Sequence, residues 1–220
     1  MYAAEFEGLC ALRAAGARAP EPYAHGVRGK MAFMEMEQLS LGAVADWPAM
    51  ARMLAGLHRH LGPRFGWETD NWIGLSPQFN GWNDDWTEFF CEKRLGPQLA
   101  KAKLRVDLEK AKNLLQGHRP QASLLHGDLW SGNAGFTAEG PVIFDPAVYY
   151  GDREADLAMT ELFGGFPPAF YAAYEGAFPL DEGYGRRKHL YNLYHLLNHL
   201  NLFGGGYRAQ VMRTLGLLRL

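Results

Sequence analysis

Leu124-Leu125-His126-Gly127-Asp128-Leu129-Trp130-Ser131-Gly132-Asn133, followed one turn later by Val142-Ile143-Phe144-Asp145-Pro146, decides how this chain folds. Ser123–His126 is a short apolar strand that runs into a tight turn at Gly127 and leaves Asp128 at the strand's end. Ala134–Phe136 and Val142–Phe144 flank the turn Thr137–Gly140 and read as a hairpin. A short hairpin brings its two ends together, so Asn133 at its start and Asp145 at its exit can share one cation. Phosphoryl transfer needs a carboxylate to orient a hydroxyl and accept its proton. It also needs an amide oxygen and a second carboxylate to hold magnesium against phosphates. Hard oxygen ligands without thiols suit magnesium rather than zinc. Any one of these residues alone would be a turn or cap residue; the three in order after an apolar strand favour chemistry. His126 is expected to brace the turn through a backbone contact.

Outward from this stretch, Tyr2, Phe6, Leu9 and Leu12 recur at helical spacing and predict a helix over 2–15, ended by Gly16 and Pro20. Tyr23–His25 and Met31–Glu37 read as strands around a turn at Val27–Lys30. A helix and hairpin of this size cannot bury a core alone and must pack on something else. A helix is predicted over Trp47–Leu61. Residues 62–82, rich in Gly, Pro, Asn and Trp, read as a long ordered loop. Further helices are predicted at Asp84–Leu95, Leu99–Gln116, Asp152–Phe163, Pro168–Phe178, Tyr184–Phe203 and Val211–Leu218.

Composition narrows the function. The 220 residues carry 22 Lys and Arg against 24 Asp and Glu, a net charge of −2. There is no global positive field for a nucleic-acid backbone or an anionic membrane, so neither partner is expected. No apolar run is long enough to span a bilayer. Two distant cysteines, Cys10 and Cys91, make no disulfide framework, which points to a reducing, cytoplasmic location. His195 and His199 lie four apart on a helix apolar enough to be core, and no Glu follows the first His as a metalloprotease zinc site would need. Gly204-Gly205-Gly206 reads as a helix terminator. Asp152, Glu154 and Asp156 open a helix, where negative charge is favourable.

His126 through Asn133, with Phe144-Asp145-Pro146-Ala147-Val148-Tyr149-Tyr150-Gly151-Asp152-Arg153-Glu154-Ala155-Asp156-Leu157-Ala158-Met159, resembles the fructosamine (ketosamine) kinase family. Asn71-Trp72-Ile73-Gly74, Gln78, Asn80, Trp86–Phe90 and Arg94-Leu95 resemble that family's substrate-side insert. The likeness runs from about residue 2 nearly to the C-terminus. It implies an α+β, protein-kinase-like (aminoglycoside phosphotransferase-like) fold. Residues 1–37 would form a partial N-terminal lobe with the hinge, and 38–220 a mainly helical C-terminal lobe. The implied activity is ATP-dependent, magnesium-assisted phosphorylation of a sugar hydroxyl on a ketoamine, such as a glycated lysine. In the family the phosphorylated adduct falls apart and frees the amine.

The resemblance makes Asp128 the catalytic aspartate and Asn133 and Asp145 the magnesium ligands. Backbone groups of Glu35 and Glu37 would pair with adenine. Trp130 would stack on or wall the sugar, with Asn71, Gln78 and Asn80 as further substrate contacts. Glu5 matches the helix glutamate that pairs with a phosphate-binding lysine. In the family that lysine and a glycine-rich loop precede this helix, and the chain begins inside it. The expectation is a truncated N-terminal lobe, weak ATP binding, and a sheet edge at Tyr23–Glu37 available to a second copy of the chain. Lys30, in the hairpin turn, stands at the wrong end to substitute. The residues leave open two alternatives, a non-catalytic binding protein and an alcohol kinase of the aminoglycoside or choline type.

Overall fold

Helix α1 (Tyr2–Ala14) and an antiparallel hairpin of β1 (Pro22–Arg28) and β2 (Met31–Met36) open the computed structural model, which describes residues 1–220. The hairpin turn is confined to Gly29-Lys30, with Gly29 at φ +67°, so β1 runs on to Arg28 through part of the expected turn. A two-stranded hairpin gives α1 too little apolar surface to cover. Leu9 and Leu12 instead join Met50 and Leu54 of α2 (Trp47–His58), together with Leu129, Ile143 and Val148, in one core. The N-terminal segment is thus packed into the body of the molecule. The Asp46 carboxylate starts α2 by accepting the Ala49 N–H at 2.9 Å, with Pro48 in the first turn.

Residues 62–82 are not only loop. They contain a hairpin of β3 (Asn71–Ile73) and β4 (Ser76–Gln78), with Asn71 opposite Gln78. Its inward positions are Asn71, Ser76 and Gln78 beside Ile73. The apolar alternation that normally marks a half-buried strand is therefore missing. The helices expected over 84–95 and 99–116 are also divided differently. Helix α3 (Trp86–Phe89) passes through a π-helical stretch, Phe90–Leu95, into α4 (Gly96–Lys101). The chain then turns at Lys103, φ +53°, before α5 (Leu108–Leu114), whose start is capped by Asp107. No Gly or Pro marks that break, so helical periodicity reads through it.

β5 (Ser123–Leu125) pairs antiparallel with β8 (Tyr149–Gly151), Leu125 opposite Tyr149. Between them in sequence lies the expected hairpin, β6 (Ala134–Thr137) with β7 (Gly140–Ile143). The remaining mass is helical: α6 (Glu154–Thr160), α7 (Pro168–Ala177), α8 (Tyr184–Phe203) and α9 (Arg208–Leu218). Leu190, Leu193 and Leu197 of α8 meet Phe89, Phe90, Leu95 and Tyr149 in a second core. Gly204, at φ +86°, ends α8. The architecture is α+β, and no helix is long and apolar enough to cross a membrane.

Candidate active site

The turn after β5 is built around Gly127. Its φ is +84°, and a Cβ there would lie 2.0 Å from the Ala147 carbonyl oxygen, so only glycine fits. The buried Asp156 carboxylate holds the turn. It accepts the N–H groups of His126 at 2.7 Å and Gly127 at 2.9 Å, and His58 Nε2 lies 3.1 Å away. Burial alone would raise the Asp156 pKa, but the His58 contact and the backbone donors hold it below the ordinary carboxylate value. His126 links the two arms of the site as expected. Its Nε2 donates to the Phe144 carbonyl at 3.0 Å, and its Nδ1 accepts the Asp128 N–H at 3.3 Å. Burial lowers its pKa and favours this neutral form.

Asn133 Nδ2 donates to the Asp128 carbonyl at 2.9 Å and reaches Asp128 Oδ2 at 3.4 Å. The Asn133 carbonyl in turn accepts the Phe144 N–H at 3.0 Å. This bond closes the open end of the β6–β7 hairpin and brings Asp145 beside Asn133. Asp145 is exposed and has a left-handed backbone, φ +57°. On the other side, α1 approaches closely at Gly8, where a Cβ would lie 3.1 Å from Pro146 Cγ. One turn earlier on that helix, Glu5 faces the same cleft.

Glu5, Asn71, Trp72, Asp128 and Asp145 line a cleft of about 220 Å³, and no Lys or Arg is among its lining residues. The Asp128 carboxyl is pushed up to about 7, first by burial and then by the charges of Asp145 and Asp156. Glu5 is raised by burial and by Asp145. Three carboxylates around one cleft repel one another unless a cation joins them. Asn133 spends its amide N–H on Asp128 and keeps Oδ1, and Asp145 offers an exposed carboxylate. This donor set suits a hard divalent cation.

Several expected site residues are placed differently. Gln78 and Asn80 are buried and fully engaged. Gln78 Nε2 donates to Asn71 Oδ1 and to the Ala147 carbonyl, and its Oε1 accepts from Tyr194. Asn80 Nδ2 donates to the Thr69 carbonyl and to Asn71 Oδ1, while Arg94 donates to its Oδ1. Neither amide is left for a substrate, and the network instead props the Ala147–Val148 segment behind Asp145. Asn71 does line the cleft, but its Nδ2 donates to the Val148 carbonyl at 2.7 Å. Trp130 is not in the cleft wall. Its ring lies over Gly132 and meets Phe163 edge-on at 6.1 Å, beside His199. Trp72 is 38% exposed at the cleft, whereas Trp86, the first residue of α3, is buried and donates to Tyr191.

Glu35 lies on β2, opposite Ala24. Of the Glu37 backbone groups expected to pair with adenine, the N–H is spent on the Glu21 carbonyl at 2.8 Å, and the carbonyl is left without a partner. The Glu37 side chain is held by Arg18 at 2.5 and 2.7 Å, which lowers its pKa to about 2. Sequence reasoning missed this tie, and it also missed His195. His195 Nδ1 lies 3.9 Å from Asp128 Oδ1.

A family model for fructosamine kinases matches residues 1–219. The chain belongs to the fructosamine kinase family. A protein of Synechocystis sp. named as a probable ketoamine kinase is 50% identical over 98% of this chain and 77% of its own length. A chloroplastic protein-ribulosamine 3-kinase of Arabidopsis thaliana is 42% identical over 89% of the chain and 64% of its own length. In crystal structure, a Haemophilus somnus protein assigned as a fructosamine-3-kinase matches 99% of the chain and 79% of its own, with a TM-score of 0.94 at 31% identity. A choline/ethanolamine kinase family protein of Mesorhizobium loti, at 14% identity and a TM-score of 0.59, shares the kinase-like fold alone.

This fructosamine kinase family member has a second acidic group, His118, Asp152 and Glu154, whose ligand atoms lie within 4.8 Å of one another. Every member is already paired. Asp152 Oδ2 meets His118 Nε2 at 2.7 Å and accepts the Tyr191 hydroxyl at 2.6 Å. Arg187 clasps Glu154 with bonds of 2.7 and 2.6 Å. The cluster ties α6 to α8, in keeping with the structural role expected for these carboxylates.

Proposed function

We propose that the protein transfers the γ-phosphoryl group of ATP to a sugar hydroxyl of a ketoamine, in repair of glycated amines. The observation that carries this reading is the cleft in which Asp128, Asp145 and Glu5 converge on the hairpin mouth with no cationic side chain among them. The names carried by the relatives, ketoamine kinase and protein-ribulosamine 3-kinase, support the substrate class, free or protein-bound.

In this reading Asp128 orients the hydroxyl. Its oxygen attacks the γ-phosphorus, the bond to the β–γ bridging oxygen breaks, the proton passes to Asp128, and ADP leaves. Asn133 Oδ1 and the Asp145 carboxylate would hold magnesium, which would supply positive charge against the phosphates. The clamp of Asp156 on the turn keeps Asp128 in place as its proton affinity changes. The free Glu37 carbonyl at the hairpin's exit, with backbone groups of Glu35 on β2, would face adenine, and Glu5 would mark the phosphate side of the cleft. Trp130, two residues beyond Asp128 and packed edge-on against Phe163, would meet the sugar or the amine attached to it. The unpaired cysteines, exposed Cys10 and buried Cys91, accord with a reducing compartment. The test is a coupled ADP-release assay with magnesium-ATP and a synthetic fructosamine. Release that depends on the ketoamine is expected, and release indifferent to it would overturn the reading.

A further inference from the structure

Asp128 Oδ1 and His195 Nδ1 are both buried, both without a hydrogen-bond partner, and 3.9 Å apart. They are complementary, since a carboxylate oxygen only accepts and an imidazole N–H donates. Buried polar atoms are rarely left unpaired, and closing this gap takes a movement of about 1 Å. His195 is 4% exposed and seated mid-way along α8, its ring against Tyr194 at 5.0 Å. Tyr194 is itself tied to Gln78 and so to the segment behind Asp145. Asp128 Oδ2, by contrast, is on the Asn133 side. The two carboxylate oxygens therefore have different neighbours.

We propose that His195 is a positioning residue for Asp128. Its Nδ1–H bonds the inner carboxylate oxygen and so presents the outer one to the substrate hydroxyl. Burial lowers the His195 pKa to about 3, which keeps the ring neutral and makes the contact a neutral donor to a carboxylate. The catalytic consequence rests on the kinase reading above; the contact itself does not.

Two measurements test it. Nitrogen-15 NMR of the histidine rings in the wild-type protein reports which ring nitrogen carries the proton. A protonated Nδ1 on His195, whose shift moves in Asp128→Asn, is expected; a bare Nδ1 would overturn the proposal whatever the activity. In kinetics, His195→Leu removes the donor, while His195→Asn puts an amide N–H close to the position of Nδ1. His195→Leu is expected to lower kcat roughly 10-fold or more, with both KM values within about 3-fold, and His195→Asn to recover most of kcat. A loss in His195→Leu that His195→Asn does not recover, or an unchanged kcat in folded His195→Leu, would overturn it. A wild-type protein that phosphorylates no ketoamine would refute the function, and the ring measurement would still decide the contact.

Discussion

The Asp156 carboxylate accepts the Gly127 N–H at 2.9 Å, and the same side chain takes the neighbouring His126 N–H at 2.7 Å. A residue on α6 thereby fixes the two peptide units that lead into Asp128. The arrangement makes the position of the proposed proton acceptor depend on one buried anion behind it.

Asp156→Asn replaces one acceptor oxygen with a donor that would confront a backbone N–H. Removing one partner of a buried, hydrogen-bonded charge costs about 3–5 kcal/mol. Urea unfolding should show a loss of that order. A loss under about 1 kcal/mol would mean that the turn is held by something else.

Asp128→Asn should weaken catalysis and strengthen the fold. As a general-base substitution it should lower kcat by roughly 10²–10⁴. The folded Asp128 carboxyl lies at about 7 against an ordinary 3.8, so ionising it costs more in the folded state than in the unfolded one. That penalty is absent below the unfolded value, grows as pH rises toward 7, and is fully present above it. In magnesium-free buffer the variant should be more stable than wild type at pH 8 by on the order of 1–3 kcal/mol, with the advantage fading toward pH 4. Equal stability at both pH values would place the carboxylate in a better-solvated setting.

Asp145→Ala removes the exposed carboxylate at the hairpin mouth. Calorimetric titration with magnesium-ATP should show affinity weakened about tenfold or more, with the magnesium dependence shifted to higher concentration. Asn133→Ala should act in the same direction more mildly, because a neutral oxygen contributes less. Unchanged magnesium dependence in Asp145→Ala would put the metal elsewhere.

Trp130→Ala tests the sugar side. An aromatic face on a sugar contributes on the order of 1 kcal/mol. The KM for a fructosamine should rise several-fold, with the KM for ATP nearly unchanged. An equal rise in both would show that the ring supports the site as a whole, as its packing on Gly132 and Phe163 would allow.

The candidate site was legible where it is local in sequence. Gly127, Asp128, Asn133 and Asp145 fall within one strand, one turn and one hairpin, so spacing alone placed them together. The family resemblance placed Glu5 in the same cleft, although its helix is distant in sequence. Residues joined only by tertiary packing were not legible. His195 stands on an apolar helix far along the chain and reads as core from its neighbours. Gln78 and Asn80 read as substrate contacts because they are polar residues of the segment resembling the substrate-side insert, and only the fold shows that backbone carbonyls and Arg94 occupy them. The β3–β4 hairpin was hidden by its polar inward face, and the break at Lys103 by the absence of Gly or Pro. The bond from the Glu37 N–H to Glu21 joins two ends of one hairpin, and the adenine assignment overlooked it.

In the proposed reaction phosphate passes from ATP to a ketoamine with Asp128 at the reacting hydroxyl. Phosphorus-31 NMR of the protein with magnesium-ATP and a fructosamine tests it most directly. A new sugar-phosphate resonance that grows mole for mole with ADP and is lost in folded Asp128→Asn is expected. ADP appearing with no phosphorylated ketoamine, or phosphate passing to an aminoglycoside or choline-like alcohol while the ketoamine stays untouched, would contradict it.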